Sequence, residues 1–191
     1  MQYKMYEVTG ADLEYASYLA NTINRIDADS RNRLILIEKH DLIAFLGELT
    51  FEKILLENDI DYVKYDIFER PVHGSYDYLV NNFRIDVKTE KLSFGEPDRE
   101  WICHVRDYQL RNYLTDPVDF LVFTVVNLRE LKSWILGYIS LDKFLEAAKP
   151  VSKGEPVNGR YTCKEDMWII KARNLKPINK LLKLIKKQVF K

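Results

Sequence analysis

Apolar residues recur at helical spacing in two stretches near the start of the chain. The first follows residues 9–12, which have the composition of a helix start, and places apolar side chains at positions 13, 16, 19, 23 and 26. The second follows Asp41, which we expect to cap a helix that continues to about Asn58. The N-terminal part of the chain is therefore predicted to be helical.

Strand-like runs separated by turn residues follow the second helix. We predict strands over 62–68, 75–80, 83–88, 101–105 and 134–139. The almost continuously apolar run 120–126 is typical of a central strand buried on both faces. Short helices are expected over 108–114 and 141–148, a loop over 151–159, a final hairpin of Tyr161 with 167–171, and a helix from Ile178.

This order of elements predicts an α/β fold around one mixed sheet flanked by helices. A chain of 191 residues can bury such a core without disulfides or a structural metal, so we expect a single domain over 1–191. Its predicted parts are an N-terminal helical part over 1–40, a core over 41–126, additional strands and a helix over 127–170, and a basic tail over 171–191.

The charges balance overall but are segregated along the chain. Basic and acidic residues number 29 each, yet eight basic residues and no acidic one occur from Lys171 on. The preceding part therefore carries 21 basic residues against 29 acidic ones. Such a tail can lie along a phosphate backbone, with Lys180, Lys183 and Lys187 as the candidate contacts. A solvated helix face is the alternative.

The two cysteines, Cys103 and Cys163, are too few for a disulfide framework and are expected to be free thiols. No apolar run approaches the ~20 residues of a membrane span, and the first ten residues lack a secretory pattern. We therefore expect a cytoplasmic protein with no membrane partner.

Candidate chemistry concentrates in the predicted hairpin over 75–88. If Asn81 and Asn82 form a two-residue turn, counting outward places Asp77 opposite Asp86, and Lys88 on the same face. Two opposed carboxylates repel each other unless a cation lies between them, and Mg²⁺ binds one or two carboxylates together with waters and phosphate oxygens. The alternative is an exposed hairpin whose charges lie in water.

The upstream helix adds a third carboxylate. Glu48 falls inside the apolar arc of that helix, where an unpaired carboxylate is costly, so it needs a cation or hydrogen-bond partner. Its neighbour Gly47 is unfavourable in a helix interior. A close approach of this helix to the sheet would explain why a glycine occupies the position. A Glu48 side chain that reaches solvent at the edge of the core is the alternative, and Glu52 is a weaker candidate for the same role.

Gly47-Glu48 on a helix, then Asp77, then Asp86-Val87-Lys88 resembles the PD-(D/E)XK nuclease superfamily, which includes restriction endonucleases, Holliday-junction resolvases and RecB-like nucleases. The resemblance covers roughly 85 residues and implies a restriction-endonuclease-like αβββαβ core over 41–126. It implies that Asp77 and Asp86 hold Mg²⁺ with the carbonyl of Val87. It also implies that Lys88 positions the attacking water and that Glu48 completes the site.

Gln109 and Tyr113 resemble the QxxxY element of RecB-like nucleases, which implies a catalytic role for Gln109. Two departures are Tyr76 in place of Pro and Asp86 in place of the commoner Glu. The cysteine cluster that holds iron and sulfur in some of these nucleases is absent from the sequence, so no iron–sulfur cluster is expected.

The resemblance thus implies a Mg²⁺-dependent DNA endonuclease, with Mn²⁺ as a substitute. Structure-selective cutting is favoured, because nothing resembles a separate sequence-reading module, and a homodimer is implied because two strands must be cut. Tyr113, Arg31 and Arg33 are further candidate nucleic-acid contacts. The alternative is a catalytically silent nucleic-acid-binding or assembly protein that retains the fold.

Overall fold

The computed structural model of the protein describes residues 3–28, 37–65, 76–157 and 161–188. This part of the chain forms five α-helices and eleven strands. The helices are α1 (Gly10–Ala28), α2 (Ile37–Leu56), α3 (Asp107–Thr115), α4 (Leu141–Ala147) and α5 (Ile178–Gln188). The strands are β1 (Lys4–Glu7), β2 (Val63–Lys64), β3 (Tyr78–Val80), β4 (Phe83–Lys91), β5 (Ile102–Arg106), β6 (Phe120–Asn127), β7 (Lys132–Ser140), β8 (Lys149–Val151), β9 (Pro156–Val157), β10 (Tyr161–Thr162) and β11 (Met167–Lys171).

A six-stranded mixed sheet with the order β1-β7-β6-β4-β3-β2 forms the centre of the fold. Strands β2, β3 and β4 form an antiparallel meander, whereas β4 and β6 run parallel and are connected through β5 and α3. A parallel pair needs such a crossover because its strands start at the same edge of the sheet. The protein is therefore α/β, as the sequence predicts.

The predicted central mixed sheet is present, and the described residues form two further small sheets that the sequence did not predict. Strand β11 pairs with β5 and β8 in a three-stranded antiparallel sheet, and β9 pairs with β10 in a two-stranded ribbon. Two predictions of local structure are wrong. The segment predicted as a loop over 151–159 contains β9, and Tyr161 does not form a hairpin with β11 but pairs with β9. Strand β1, which no pattern predicted, pairs with β7 and forms one edge of the main sheet.

The main sheet separates two hydrophobic clusters. Helices α2 and α5 pack on one face, where Phe51 and Leu181 are fully buried. Helices α3 and α4 and the three-stranded sheet pack on the other face, around Phe123 and Phe144. Strand β6 is buried at every position, as its apolar run predicts, because it is covered on both faces.

Helix α2 approaches the sheet closely at Gly47. A Cβ atom at this position would overlap the hydroxyl groups of Thr89 on β4 and Thr124 on β6. The sequence-based explanation for a glycine in this helix is therefore confirmed. Asp41 does not cap the helix, because α2 begins four residues earlier, at Ile37.

The basic segment at the end of the chain is part of the folded core. Helix α5 buries a stripe of four residues, Ile178, Leu181, Leu182 and Ile185, against the α2 face of the sheet. Its lysines lie on the opposite side of the helix, and Lys180, Lys183 and Lys187 are exposed. None of the described helices is long and apolar enough to cross a membrane.

Candidate active site

The β3–β4 hairpin has the register that counting from its turn predicts. Asn81 and Asn82 have φ angles of 47° and 67°, the left-handed conformation that a two-residue hairpin turn requires. Tyr78 pairs with Ile85, Leu79 with Arg84, and Val80 with Phe83. The turn therefore fixes which side chains of β4 point to each face of the sheet.

Asp77 lies immediately before β3, where the ladder between β3 and β4 stops. Its backbone N–H donates to the Ile85 carbonyl at 3.0 Å, and its carbonyl accepts the N–H of Tyr65 at 3.1 Å. Its carboxylate Oδ2 accepts the backbone N–H of Val87 at 2.8 Å. The side chain of Asp77 is thereby held against the edge of β4 between Asp86 and Lys88.

Asp86 and Lys88 face α3 and form a buried ion pair. Lys88 Nζ lies 2.7 Å from Asp86 Oδ2, and the hydroxyl of Tyr113 on α3 donates to the same oxygen at 3.0 Å. The Lys88 ammonium group also lies 5.6 Å from the centre of the Tyr113 ring. Tyr113 thus anchors both members of the pair.

Burial and charge shift the protonation equilibria of this group. Burial raises the pKa of Asp86 and the negative charge of Asp77 adds to it, while Lys88 and the Tyr113 hydroxyl oppose the shift, leaving a pKa of about 6. Burial alone would lower the pKa of Lys88, but the Asp86 carboxylate outweighs it and raises that pKa. Lys88 is therefore charged at neutral pH, and Asp86 is mostly ionised.

Glu48 lies on the other side of the main sheet from Asp86. It is buried, as its place in the apolar arc of α2 predicts, and its Oε2 lies 3.4 Å from Lys64 Nζ on β2. Lys64 Nζ also lies 2.5 Å from Glu52 Oε1. Burial lowers the pKa of Lys64, but Glu48 and Glu52 outweigh it, so the net shift is upward.

Two tyrosines complete this second cluster. The hydroxyls of Tyr62 and Tyr78 donate to Glu52 at 3.2 and 2.8 Å. Burial raises the pKa of Tyr78 well above its usual range, and Glu48 and Glu52 add to the shift. Sequence reasoning missed Lys64 and Tyr78, because nothing in the spacing of residues shows that β2 brings a lysine beneath α2.

The structure therefore brings together Asp77, Asp86 and Lys88, and places Glu48 in a neighbouring cluster with Lys64. Among the described residues, no three Asp, Glu, His or Cys side chains are arranged so that they could hold a metal ion. Asp77, immediately before β3, and Asp86 on β4 are two buried oxygen donors, which fits the one or two carboxylates that Mg²⁺ takes from a protein.

The remaining predicted site residues have different outcomes. Gln109 is half-buried on α3, one helical turn before Tyr113. Tyr113 is only 2% exposed, so its ring supports Asp86 and Lys88 and is not open to a nucleic-acid base, which corrects its prediction as a nucleic-acid contact. Arg31 and Arg33 lie outside the described residues.

A further ionic pair lies along β4, two residues beyond Lys88. Glu90 Oε1 contacts Nδ1 of His104 on β5. Burial would lower the pKa of His104, but the Glu90 carboxylate outweighs it and raises that pKa. The alternating residues of β4 thus carry a charged row, Asp86, Lys88 and Glu90, on the α3 face of the sheet.

Comparisons with known proteins give no relative: no family model, curated protein or solved structure matches the chain.

Proposed function

We propose that the protein is a Mg²⁺-dependent DNA endonuclease of the PD-(D/E)XK type. The proposal rests on one observation: the side chains of Asp77, Asp86 and Lys88 lie close together where the pairing of β3 with β4 ends. Two carboxylates can hold a divalent cation for metal-assisted phosphodiester hydrolysis, and an ammonium group beside them can stabilise the charge that develops on the phosphate. An exposed hairpin with solvated charges would not bury Asp77 and Asp86 to 8% and 6% exposure.

The order of elements around these residues supports the proposal. Helix α2 is followed by the meander β2-β3-β4, the helix α3 and the strand β6, parallel to β4. This is the αβββαβ order of the superfamily that the residue pattern resembles. Strand β5 is an addition, because it leaves the main sheet to pair with β11.

Asp77 and Asp86 would hold the divalent cation, together with the carbonyl of Val87 that the resemblance assigns to it. When bound, the cation supplies charge neutralisation at the phosphate and lowers the pKa of a coordinated water. Lys88 contributes a fixed positive charge beside the reacting phosphate, where it stabilises developing negative charge or orients the attacking water. Tyr113 would position Asp86 through its hydroxyl. The resemblance implies a catalytic role for Gln109, one helical turn earlier on α3.

The lysines of α5 are proposed as additional phosphate contacts, on a helix that packs on the face of the main sheet opposite to Asp86 and Lys88. Lys180, Lys183 and Lys187 are exposed on one helix whose opposite face is buried, so their charges are presented together. Contacts of this kind give salt-dependent affinity for a phosphate backbone without reading sequence. The resemblance implies a homodimer, and structure-selective cutting stays the favoured form because nothing in the sequence resembles a separate sequence-reading module.

A cleavage panel tests the proposal. Linear duplex, single-stranded, flapped and four-way DNA are incubated with Mg²⁺ or Mn²⁺ and the wild-type protein, Asp86→Asn or Lys88→Met. We expect metal-dependent cleavage of at least one substrate, lost in both variants. Lys91→Met and Asp142→Asn are matched controls, since these side chains are exposed and Lys91 lies on the same strand. Absence of cleavage of every substrate by the wild type contradicts the proposal.

The second candidate is a catalytically silent nucleic-acid-binding or assembly protein with the same fold. The observation that favours it is that Asp86 Oδ2 already accepts hydrogen bonds from both Lys88 and Tyr113. These two donors occupy an oxygen that a cation would need. DNA binding that weakens steeply with salt, without metal-dependent turnover, is the result that would favour this candidate over the endonuclease.

A further inference from the structure

Arg84 extends the charged row of β4 by one position toward the hairpin turn. Arg84, Asp86 and Lys88 alternate along the strand, so their side chains point to the same face of the main sheet. Printed contacts agree with this placement: Asp86 contacts Tyr113 on α3, and Arg84 Nη1 lies 2.9 Å from Asp116, the residue that follows α3. Two residues along a strand are roughly 6.6 Å apart, so Arg84 starts from the backbone next to the proposed cation site.

The guanidinium group of Arg84 is held from two sides. Its Nη1 donates to the Asp116 carboxylate and to the Pro117 carbonyl, the latter at 3.4 Å. Its Cζ lies 5.4 Å from the centre of the Tyr76 ring, which packs against the hydrophobic cluster on the α3 face. The Tyr76 ring meets the Tyr65 ring edge to face, and its hydroxyl donates to that of Tyr65 at 2.8 Å. An arginine held in this way loses less conformational freedom when it binds a ligand.

The same guanidinium group is accessible to a ligand. The side chains of Arg84 and Asp116 are 42% and 49% exposed, and an ion pair in this setting is weak because water competes for both charges. Among the described residues, both hydrogen bonds of the guanidinium group are made by Nη1, so the N–H groups on Nε and Nη2 can donate to a ligand. Lys88, by contrast, is buried in its pair with Asp86. Arg84 is therefore the cation of this row that reaches solvent.

A phosphodiester group suits this arrangement. A planar guanidinium group binds a phosphate through two parallel N–H groups, whereas the contact with Asp116 uses Nη1 alone. Phosphates repeat at every nucleotide along a strand. A strand whose reacting phosphate lies at Asp77 and Asp86 therefore brings a neighbouring phosphate toward Arg84.

We infer that Arg84, stacked on Tyr76, binds the phosphate next to the one that is cleaved, and that Asp116 competes with this phosphate for the guanidinium group. The inference rests on the proposed function for the position of the cleaved phosphate. An Arg84 with only a structural role would connect β4 to the end of α3, and loss of either partner of its ion pair would then have the same effect. A phosphate-binding Arg84 makes the two losses act in opposite directions on DNA affinity.

The test is the affinity of the full chain for a short fluorescein-labelled DNA, single-stranded or duplex, measured by anisotropy in EDTA so that no DNA is cleaved. We expect Arg84→Met to weaken binding roughly tenfold at low salt and to make the dependence of log affinity on log salt concentration shallower by about one. Asp116→Asn is expected to strengthen binding about two- to fivefold, because the guanidinium group no longer exchanges a carboxylate for the phosphate. In the Arg84→Met background, Asp116→Asn is expected to give no gain.

A second arginine–aspartate pair on α3 provides matched controls. Arg111 and Asp107 form an ion pair near the start of the helix, one turn apart. Arg111→Met and Asp107→Asn change the net charge of the protein in the same way as the two test variants. Both are expected to alter DNA affinity less than the corresponding changes at Arg84 and Asp116. Equal changes at the two pairs would assign the effect to net charge and overturn the inference.

Arg84→Gln provides a second variant if Arg84→Met does not fold by circular dichroism. Unchanged affinity in the folded Arg84 variants overturns the inference, as does weaker binding by both Arg84→Met and Asp116→Asn. The outcomes also separate the two claims. Cleavage by a wild type whose Arg84 variants bind DNA normally contradicts this inference alone, whereas the expected binding changes without cleavage of any substrate contradict the proposed function alone. A wild type that binds no DNA contradicts both.

Discussion

The carboxylate of Asp77 accepts the backbone N–H of Val87 at 2.8 Å. This side-chain oxygen takes the place of a backbone acceptor at the point of β4 where the pairing with β3 ends. The bond has two consequences. It satisfies a buried donor that lacks a strand partner at this position, and it fixes one carboxylate beside Asp86 before any cation binds. Stability and cation binding therefore depend on different properties of the same side chain, which two substitutions can separate.

Asp77→Asn is expected to fold with near-wild-type stability, because its amide oxygen can still accept the Val87 N–H. Asp77→Ala leaves that donor without its acceptor and is expected to lower the free energy of unfolding by about 1–3 kcal/mol. Both variants lose the negative charge and are expected to lose Mn²⁺ binding. Urea unfolding and calorimetry measure the two effects, and equal stability of the two variants contradicts the assigned role.

Tyr113→Phe removes the hydroxyl that donates to Asp86. The ionised carboxylate loses a donor, so the pKa of Asp86 is expected to rise above about 6, and the acid limb of the pH–activity profile moves to higher pH. Unfolding is expected to become easier by about 1–3 kcal/mol. Tyr108→Phe is the control, because this tyrosine lies on the same helix but is exposed. An acid limb that does not move would show that Tyr113 does not tune Asp86.

The sequence could predict that Asp77, Asp86 and Lys88 of the candidate site lie close together, because their placement depends on local structure. A two-residue turn at Asn81 fixes the hairpin register, and strand periodicity then fixes the faces. The partner of Glu48 could not be predicted, because Lys64 reaches it only through the pairing of β2 with β3 and the packing of α2 over both. The same limit explains the two small sheets, whose short strands pair residues as far apart as Ile102 and Lys171.

Gly47→Ala is expected to destabilise the protein although alanine is the better helix former. The gain in helix propensity is about 1 kcal/mol, whereas the added methyl group overlaps Thr89 and Thr124 and overpacking of a core typically costs about 1–3 kcal/mol. Thermal unfolding measures the net loss. Gly10→Ala is the control, since its Cβ would have no atom within 4 Å. A higher melting temperature for Gly47→Ala would contradict the close approach of α2.

Stability is expected to fall as the pH rises above about 6.5 because of His104. The Glu90 carboxylate raises the pKa of His104 against the effect of burial, with Glu165 adding and Arg106 opposing. The folded protein therefore binds this proton more tightly than the unfolded chain, whose histidine pKa is about 6.5. The stabilisation is complete below that pH and is lost as the pH rises through the raised value.

His104→Gln is accordingly expected to flatten the fall in unfolding free energy as the pH rises above about 6.5, measured by urea denaturation. Glu90→Gln is expected to flatten it as well, because it removes the carboxylate that raises the pKa. A pH dependence retained in both variants would assign the effect to other groups.

The role of α5 in DNA binding has to be tested by substitutions and not by truncation. The sequence suggested a separable tail, but Ile178 and Leu181 are part of the core, so removing the helix would expose the α2 face of the sheet. Replacing Lys180, Lys183 and Lys187 by Gln changes only exposed side chains, and each change is expected to alter stability by no more than about 0.5 kcal/mol. Mn²⁺ binding is expected to be unchanged.

The DNA affinity of this triple variant is expected to fall, and the dependence of log affinity on log salt concentration is expected to become shallower by about one for each phosphate that the protein no longer neutralises. The control replaces Lys149, Lys153 and Lys164 by Gln, since these are equally exposed but lie in or next to the two small sheets. A general loss of positive charge would weaken both triple variants alike, whereas a phosphate-binding face on α5 weakens only the first. Equal affinity of both variants and the wild type would mean that the α5 lysines only solvate the helix.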